Sequence, residues 1–422
     1  MIYLSLFCVI LLHIKLFGQR GLIDPISVFF LAFLYYSYLT PIVIYEFEIF
    51  SVDFRGVDSW VPPETVDSAA ILFGVGYAGF ALAYYALTGG SRKTSYAPAN
   101  AQFKRLLTDP YLRLLLGFVL IVILVISTAF REALLSSTES YEGKISGNYS
   151  NYGYAFLMSI ALTSFSLILN YTVLNARRFL LATGIGISAC IFLTVLTFSK
   201  FPLIFAALAS FCALYRFNKL PFLIQFIGLL VGTSLMTIIF LPMFSIFRAS
   251  GELEFVGLNA QSVKLMIAEA SSPFTIVHLG FSGYIDAGGH PLWESFALWV
   301  PRAIWVDRPL DIAEGFARQV LGEWQAGQGL GFSPFAEAYA RTGLLGSFFF
   351  MALLGGVMAL MQRGFASVIP AAMRAPATLT IGGIVSVLML RGPFSALITQ
   401  SIQNWLPIIA VSVVAGWLAR RI

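Results

Sequence analysis

Thr342-Gly343-Leu344-Leu345-Gly346-Ser347-Phe348-Phe349-Phe350-Met351-Ala352-Leu353-Leu354-Gly355-Gly356-Val357-Met358-Ala359-Leu360-Met361 carries no charged residue anywhere along its length. A helix crossing the hydrocarbon core of a bilayer needs about 20 mostly apolar residues, and this stretch supplies them. Just before it stands Ser333-Pro334-Phe335-Ala336-Glu337-Ala338-Tyr339-Ala340-Arg341. Serine before proline is a helix-start signal, so a helix is expected to begin there and continue unbroken into the span. Glu337 and Arg341, four apart, then share a helical face.

The rest of the chain has the same character. Of 422 residues, 58% are hydrophobic and only 11% charged, against roughly 25% charged in a soluble domain. That composition excludes a water-soluble fold. The net charge of +5 resides mostly in short loops between apolar runs, so it predicts membrane topology and no nucleic-acid partner. Cys8, Cys190 and Cys212 are dispersed within apolar runs and form neither a disulfide framework nor a metal motif. The expected fold is an all-α polytopic integral membrane protein, a single domain over 1–422, with about eleven spans. They are 1–17, 22–45, 66–87, 111–130, 153–174, 179–197, 201–215, 220–244, 342–361, 377–397 and 402–418. The run 1–17 is read as a span rather than a secretory signal, because Lys15 and Arg20 follow it instead of preceding it.

Loop charges give the orientation. Arg92, Lys93, Lys104 and Arg105 crowd one loop. Arg177 with Arg178, Arg216 with Lys219, Arg363 with Arg374, and Arg420 with Arg421 fill others, and every second loop is basic. Most of the alternate loops are acidic or mixed, with Glu46, Glu48, Asp53, Asp58 and Glu64 in one. Basic loops stay in the cytoplasm. The expectation is a periplasmic N-terminus, a cytoplasmic C-terminus, and a long external loop at 245–341 in a bacterial inner membrane. Within that loop, Asn259–Ala270 is mixed amphipathic. His290–Trp305 reads as a helix lying in the membrane interface, and Asp311-Ile312-Ala313-Glu314 resembles a capping box opening a helix over 312–321.

The spans hold almost no ionisable residue, so chemistry is expected at the outer face. Lys200, Arg248, Arg302, Arg308, Arg341 and Arg391 lie at external span ends or in the external loop, against the topology rule. Arginine forks match phosphate oxygens, and the six are candidates for one anion site. Glu337, then His278, then Glu294 are candidates for a general base. Trp293, Trp299, Trp305 and Trp324 are candidates for stacking on sugar faces, a role that interfacial anchoring explains as well. His290 and Glu294 have metal-compatible spacing but no third ligand. Neither a metal nor a cofactor is expected.

Pro301-Arg302-Ala303-Ile304-Trp305-Val306-Asp307-Arg308-Pro309 resembles the PR-x-x-W-P-x-K-P loop phrase of bacterial oligosaccharide repeat-unit polymerases, the Wzy or O-antigen polymerase family. Val306 stands where proline is common there, and Arg308 where lysine is. The run Ser333–Tyr339 with Gly343 and Gly346 is similar to the family's return into the membrane. Ser199-Lys200 and Arg391-Gly392 fit its span-end turns. The resemblance implies a GT-C-like fold that works on undecaprenyl-diphosphate-linked oligosaccharide in membrane lipid, with a chain-length-regulating co-polymerase as a candidate partner. It implies joining of lipid-linked units into a surface polysaccharide such as O-antigen, capsule or exopolysaccharide. An O-antigen ligase using the same donor, and a flippase or other transporter of lipid-linked sugar, are the competing readings. Transporters tend to carry internal repeats and mid-membrane polar groups, and neither stands out here.

Overall fold

The computed structural model describes residues 1–18, 24–46, 51–54, 57–89, 109–129, 152–197, 201–216, 272–298, 304–321, 332–369 and 371–400, with isolated positions at 227, 300, 409–410, 413–414 and 417. The expected span 220–244, nearly all of 402–418 and the segment Asn259–Ala270 lie outside these. In chain order the helices are α1 (Ile2–Phe17), α2 (Pro25–Phe33), a π-helical turn (Leu34–Leu39) and α3 (Thr40–Glu46). A two-stranded antiparallel hairpin follows, β1 (Ser51–Phe54) with β2 (Val57–Trp60), pairing Ser51 with Trp60. Next come α4 (Pro63–Thr88), α5 (Pro110–Ala129), α6 (Tyr152–Asn175), α7 (Phe179–Thr197) and α8 (Phe201–Arg216). The chain continues with α9 (Ser272–Phe281), a 3-10 turn (Leu292–Phe296), α10 (Ile312–Leu321), α11 (Pro334–Val368), α12 (Ala371–Arg391) and α13 (Phe394–Gln400).

Among the described residues, four helical segments are long and apolar enough to cross a membrane: Pro25–Glu46, Pro63–Thr88, Pro334–Gly364 and Met373–Arg391. The protein is therefore membrane-embedded. Shorter apolar helices lie at Ile2–Phe17, Leu112–Ile126, Ile160–Asn175, Phe179–Thr194 and Pro202–Arg216.

α4 and α11 form the central pair, and glycine sets their separation. A Cβ on Gly79 would stand 2.1 Å from the Phe348 carbonyl oxygen, and one on Gly355 would stand 2.2 Å from that of Phe80. Backbones approach this closely only over small residues, the usual device where lipid removes any hydrophobic drive between helices. Around the pair, α1, α2 and α4 share an aromatic core. Phe29 stacks on Phe80 at 4.0 Å and Phe33 on Tyr77 at 4.7 Å. His13 lies flat on Phe30 and its Nδ1 bonds Tyr77 Oη at 2.6 Å, which satisfies the phenol inside an apolar bundle.

Polar links tie helix ends together. Asp24 caps α2 by accepting from Ile26 N–H at 3.1 Å, with Pro25 following it. Tyr84 Oη, near the end of α4, donates to Asp24 Oδ1 at 2.7 Å and also bonds Gln362 of α11. Arg216 Nη1 donates to the carbonyls of Val173, Leu174 and Ala176, closing the open end of α6. In both cases, the ends that meet are ones that loop charge assigns to a common side.

Three expectations change. The helix from Pro334 does not run straight into the span: Gly343 adopts φ 69, ψ −171 and breaks it. Only glycine takes that backbone conformation cheaply. The Ser333 cap is made by its carbonyl, which accepts Glu337 N–H at 3.0 Å; its hydroxyl finds no partner among the described residues. The span expected at 377–397 ends at Arg391, and α13 starts afresh at Phe394, because Pro393 cannot continue the hydrogen-bond ladder. Among the described residues of His290–Trp305, the expected interfacial helix is replaced by the 3-10 turn Leu292–Phe296. Beyond it, Arg308 Nη1 takes the Leu298 and Val300 carbonyls at 2.6 and 2.9 Å, so backbone acceptors there are satisfied by a side chain.

Candidate functional site

Where the long loop meets the spans, the chain buries a polar knot. Glu337 stands in the first turn of α11 with 0% exposure. Its Oε1 accepts from Arg341 Nε at 2.9 Å and pairs with Nη2 at 2.8 Å. Its Oε2 accepts the Phe394 N–H at 2.8 Å, across from the start of α13. Arg341 Nη1 then reaches into the loop, donating to the His290 carbonyl at 2.7 Å and to that of Ala287 at 3.5 Å. One guanidinium thus joins α11 to the loop, and one carboxylate joins α11 to the α12–α13 junction. A lysine has neither the number of donors nor the fixed fork to make these contacts.

A second carboxylate works alongside. Asp311 Oδ2 accepts from Ser395 Oγ at 2.8 Å, and Oδ1 accepts from Ala313 N–H at 3.3 Å, capping α10. Asp311 thus caps the helix through its second N–H, at Ala313, and not through that of Glu314 as a capping box would. Glu314 instead pairs with Arg318 at 2.9 Å, one turn along α10. Burial pushes the Asp311 carboxyl above its ordinary range, while the Ser395 and Ala313 bonds pull it back. His290 Nδ1 lies 3.1 Å from the Leu310 carbonyl, next to Asp311, and its Nε2 rests against α10 where Gly315 leaves room. Consecutive residues Phe394 and Ser395 thereby hold a buried carboxylate, Glu337, and a half-buried one, Asp311, from distant parts of the chain.

The candidates from sequence distribute unevenly. Glu337 and Arg341 are brought together, as helical spacing requires. Arg391 ends α12 just before this junction, with its guanidinium carbon 5.4 Å from the Tyr36 ring centroid in the π-helical turn. π-Turns are frequent at functional sites. Arg308 is used within the loop, on the carbonyls of Leu298 and Val300. His278 is not in an irregular loop but on α9, buried. Glu294 lies in the 3-10 turn, half-buried, beside an exposed Trp293. Trp305 is exposed as well. Lys200, Arg248, Arg302, Trp299 and Trp324 fall outside the described residues, and the three described arginines, Arg308, Arg341 and Arg391, each engage different partners. Arg341 already carries a counter-ion, which removes most of its pull on an external anion. Among the described residues, no group of three His, Cys, Asp or Glu side chains is arranged as a metal site.

Sequence reading passed over Asp311 as more than a cap, and passed over Ser395 and the Phe394 amide entirely. Asp311 and Ser395 are 84 positions apart and Glu337 and Phe394 are 57 apart, and no local pattern announces such pairs. No family model, curated protein or solved structure matches this chain.

Proposed function

We propose that this protein is a glycosyltransferase that joins undecaprenyl-diphosphate-linked oligosaccharide units into a surface polysaccharide. In this reading it is a GT-C-like polymerase of about eleven spans in a bacterial inner membrane, with the N-terminus and the loop 245–341 periplasmic and the C-terminus cytoplasmic. The observation that carries the reading is the polar knot. The most deeply buried ion pair described, Glu337–Arg341, sits where an apolar span meets the segment bearing the polymerase-like phrase, with Arg391 at the neighbouring junction. The pairing of helix ends through Tyr84 and Arg216 supports the alternation on which the orientation rests.

In the reaction, the acceptor hydroxyl oxygen bonds the anomeric carbon of the growing chain. The bond from that carbon to the lipid diphosphate breaks, and the hydroxyl proton passes to a base. Fixed cations meet the charge developing on the diphosphate, usually the larger catalytic effect. Arg341 is neutralised by Glu337, and the task is assigned to Arg391, Lys200, Arg248, Arg302 and Arg308, whose Nη1 also holds the loop backbone. Accessibility reorders the candidate bases. Both oxygens of Glu337 are occupied and His278 is buried, whereas Glu294 is half-buried beside Trp293. Glu294 is assigned as the base, and Glu337 as the positioning residue for Arg341 and the loop. No metal or cofactor enters the proposal, and a chain-length co-polymerase is proposed as a partner.

Gel analysis of surface polysaccharide from a deletion strain tests the reading against its competitors. A polymerase leaves chains of one unit when deleted. Complete loss of attached chains, rescued by the gene, points to a ligase or flippase and overturns it.

A further inference from the structure

The external loop exposes an apolar patch that water does not suit. Ile304 and Val306 are 77% and 78% exposed, Trp293 is 66% and Phe296 58%, and Trp305 is exposed too. Singly exposed apolar residues are ordinary; a contiguous group marks an interaction surface. Arg308 makes these residues one unit. Its Nη1 holds the Leu298 and Val300 carbonyls, just past the 3-10 turn bearing Trp293 and Phe296. Its own N–H closes the 305–308 turn on the Trp305 carbonyl at 3.3 Å. The tip Ile304-Trp305-Val306 is thus stapled beside the 3-10 turn.

Phe394 fixes where this unit sits. Phe296 packs edge-on against Phe394 at 5.9 Å, and Phe394 packs against Phe350 at 6.1 Å. Phe350 lies beyond the Gly343 break, inside the segment long and apolar enough to cross a membrane. On the same helix Leu345, Phe349 and Leu353 follow one another at four-residue steps and are all exposed. Such a stripe on a spanning helix faces acyl chains. Through Phe296, the loop patch continues toward that lipid-covered helix.

We propose that Trp293, Phe296, Ile304, Trp305 and Val306 form a wedge seated in the bilayer leaflet on the loop's side, with lipid as its partner. The tryptophans occupy the glycerol level, where such rings concentrate. Ile304 and Val306 reach the upper acyl chains, and Asp307, exposed beside them, stays among the headgroups. The inference rests on exposure and packing and requires no assignment of activity.

The test uses the full chain in vesicles of phosphatidylethanolamine and phosphatidylglycerol. Cys190 and Cys212 are buried, so Cys8→Ser alone removes the exposed thiol. Val306→Cys, and separately Ile304→Cys, then carry a polarity-sensitive fluorophore, with Gly288→Cys as an exposed reference on the same loop. Both tip labels are expected to be quenched several-fold more than the reference by lipids spin-labelled high on the acyl chain, and several-fold less by a water-soluble nitroxide. Preferential quenching from water at both tip positions overturns the proposal. Protection from both quenchers also overturns it, because a protein surface or a second copy of the chain would then cover the tip.

Discussion

Replacing Glu337 with glutamine changes one oxygen into an NH2 group and removes one charge. The carboxylate now accepts three hydrogen-bond contacts, two from Arg341 and one from the Phe394 amide. If the remaining amide oxygen keeps Arg341, the new NH2 faces the Phe394 N–H, and two donors oppose each other in a site with 0% exposure. An unsatisfied buried donor costs about 1–3 kcal/mol. Arg341, with only 11% of its side chain exposed, also loses its counter-ion. Breaking a buried pair from one side costs about 3–5 kcal/mol in all, much of it the isolated charge. Thermal unfolding of Glu337→Gln in nanodiscs should therefore fall by more than about 5 °C. Hydrogen exchange should quicken at the Phe394 amide and across 287–290, which Arg341 holds through carbonyls. Glu337→Leu with Arg341→Met removes both charges and should recover part of the loss. A single variant with Tm within about 1 °C of the parent and unchanged exchange would refute the account of the knot.

Three further outcomes follow from the same geometry. Gly79→Ala forces a methyl group against the Phe348 carbonyl and should cost about 1–3 kcal/mol in thermal unfolding, whereas Gly117→Ala on α5, with nothing within 4 Å of the new methyl, should be neutral or stabilising by up to about 1 kcal/mol. The Asp311 carboxyl is raised, chiefly by burial with Glu314 adding to it and His290 opposing. Its contribution to stability is thus full below the unfolded carboxylate range and declines as pH rises through the raised folded value; Asp311→Asn should flatten that slope in Tm measured across the acidic range. Glu294→Gln should slow polymerisation by about 10²–10⁴-fold with Tm unchanged, and a normal rate in a purified assay would move the base elsewhere.

Local chemistry was readable where one segment contains all the partners. α10 spans Ile312–Leu321 as its acidic cap predicted, and Glu337 meets Arg341 because four residues make a turn. Apolar length likewise located the helices near the expected spans. The reading failed where residues far apart in sequence compete for the backbone. His290–Trp305 has interfacial composition, yet Pro291 precedes a 3-10 turn and Arg308 takes carbonyls a few residues beyond it. The continuous helix expected from Ser333 ignored that Gly343 can adopt positive φ. Periodicity cannot show that a loop acid will meet a hydroxyl after Pro393, so Asp311–Ser395 was invisible. The cation cluster was read from charge alone, which does not say that Arg308 Nη1 is turned to the Leu298 and Val300 carbonyls.

The most direct measurement reconstitutes the purified full-length chain in nanodiscs with undecaprenyl-diphosphate-linked oligosaccharide as the only sugar and follows product length by gel. The account predicts a ladder of repeat units with release of undecaprenyl diphosphate, lost in Arg391→Ala and sharply slowed in Glu294→Gln. Unchanged single units with a folded parent protein, or a ladder equally strong in Arg391→Ala, would contradict it.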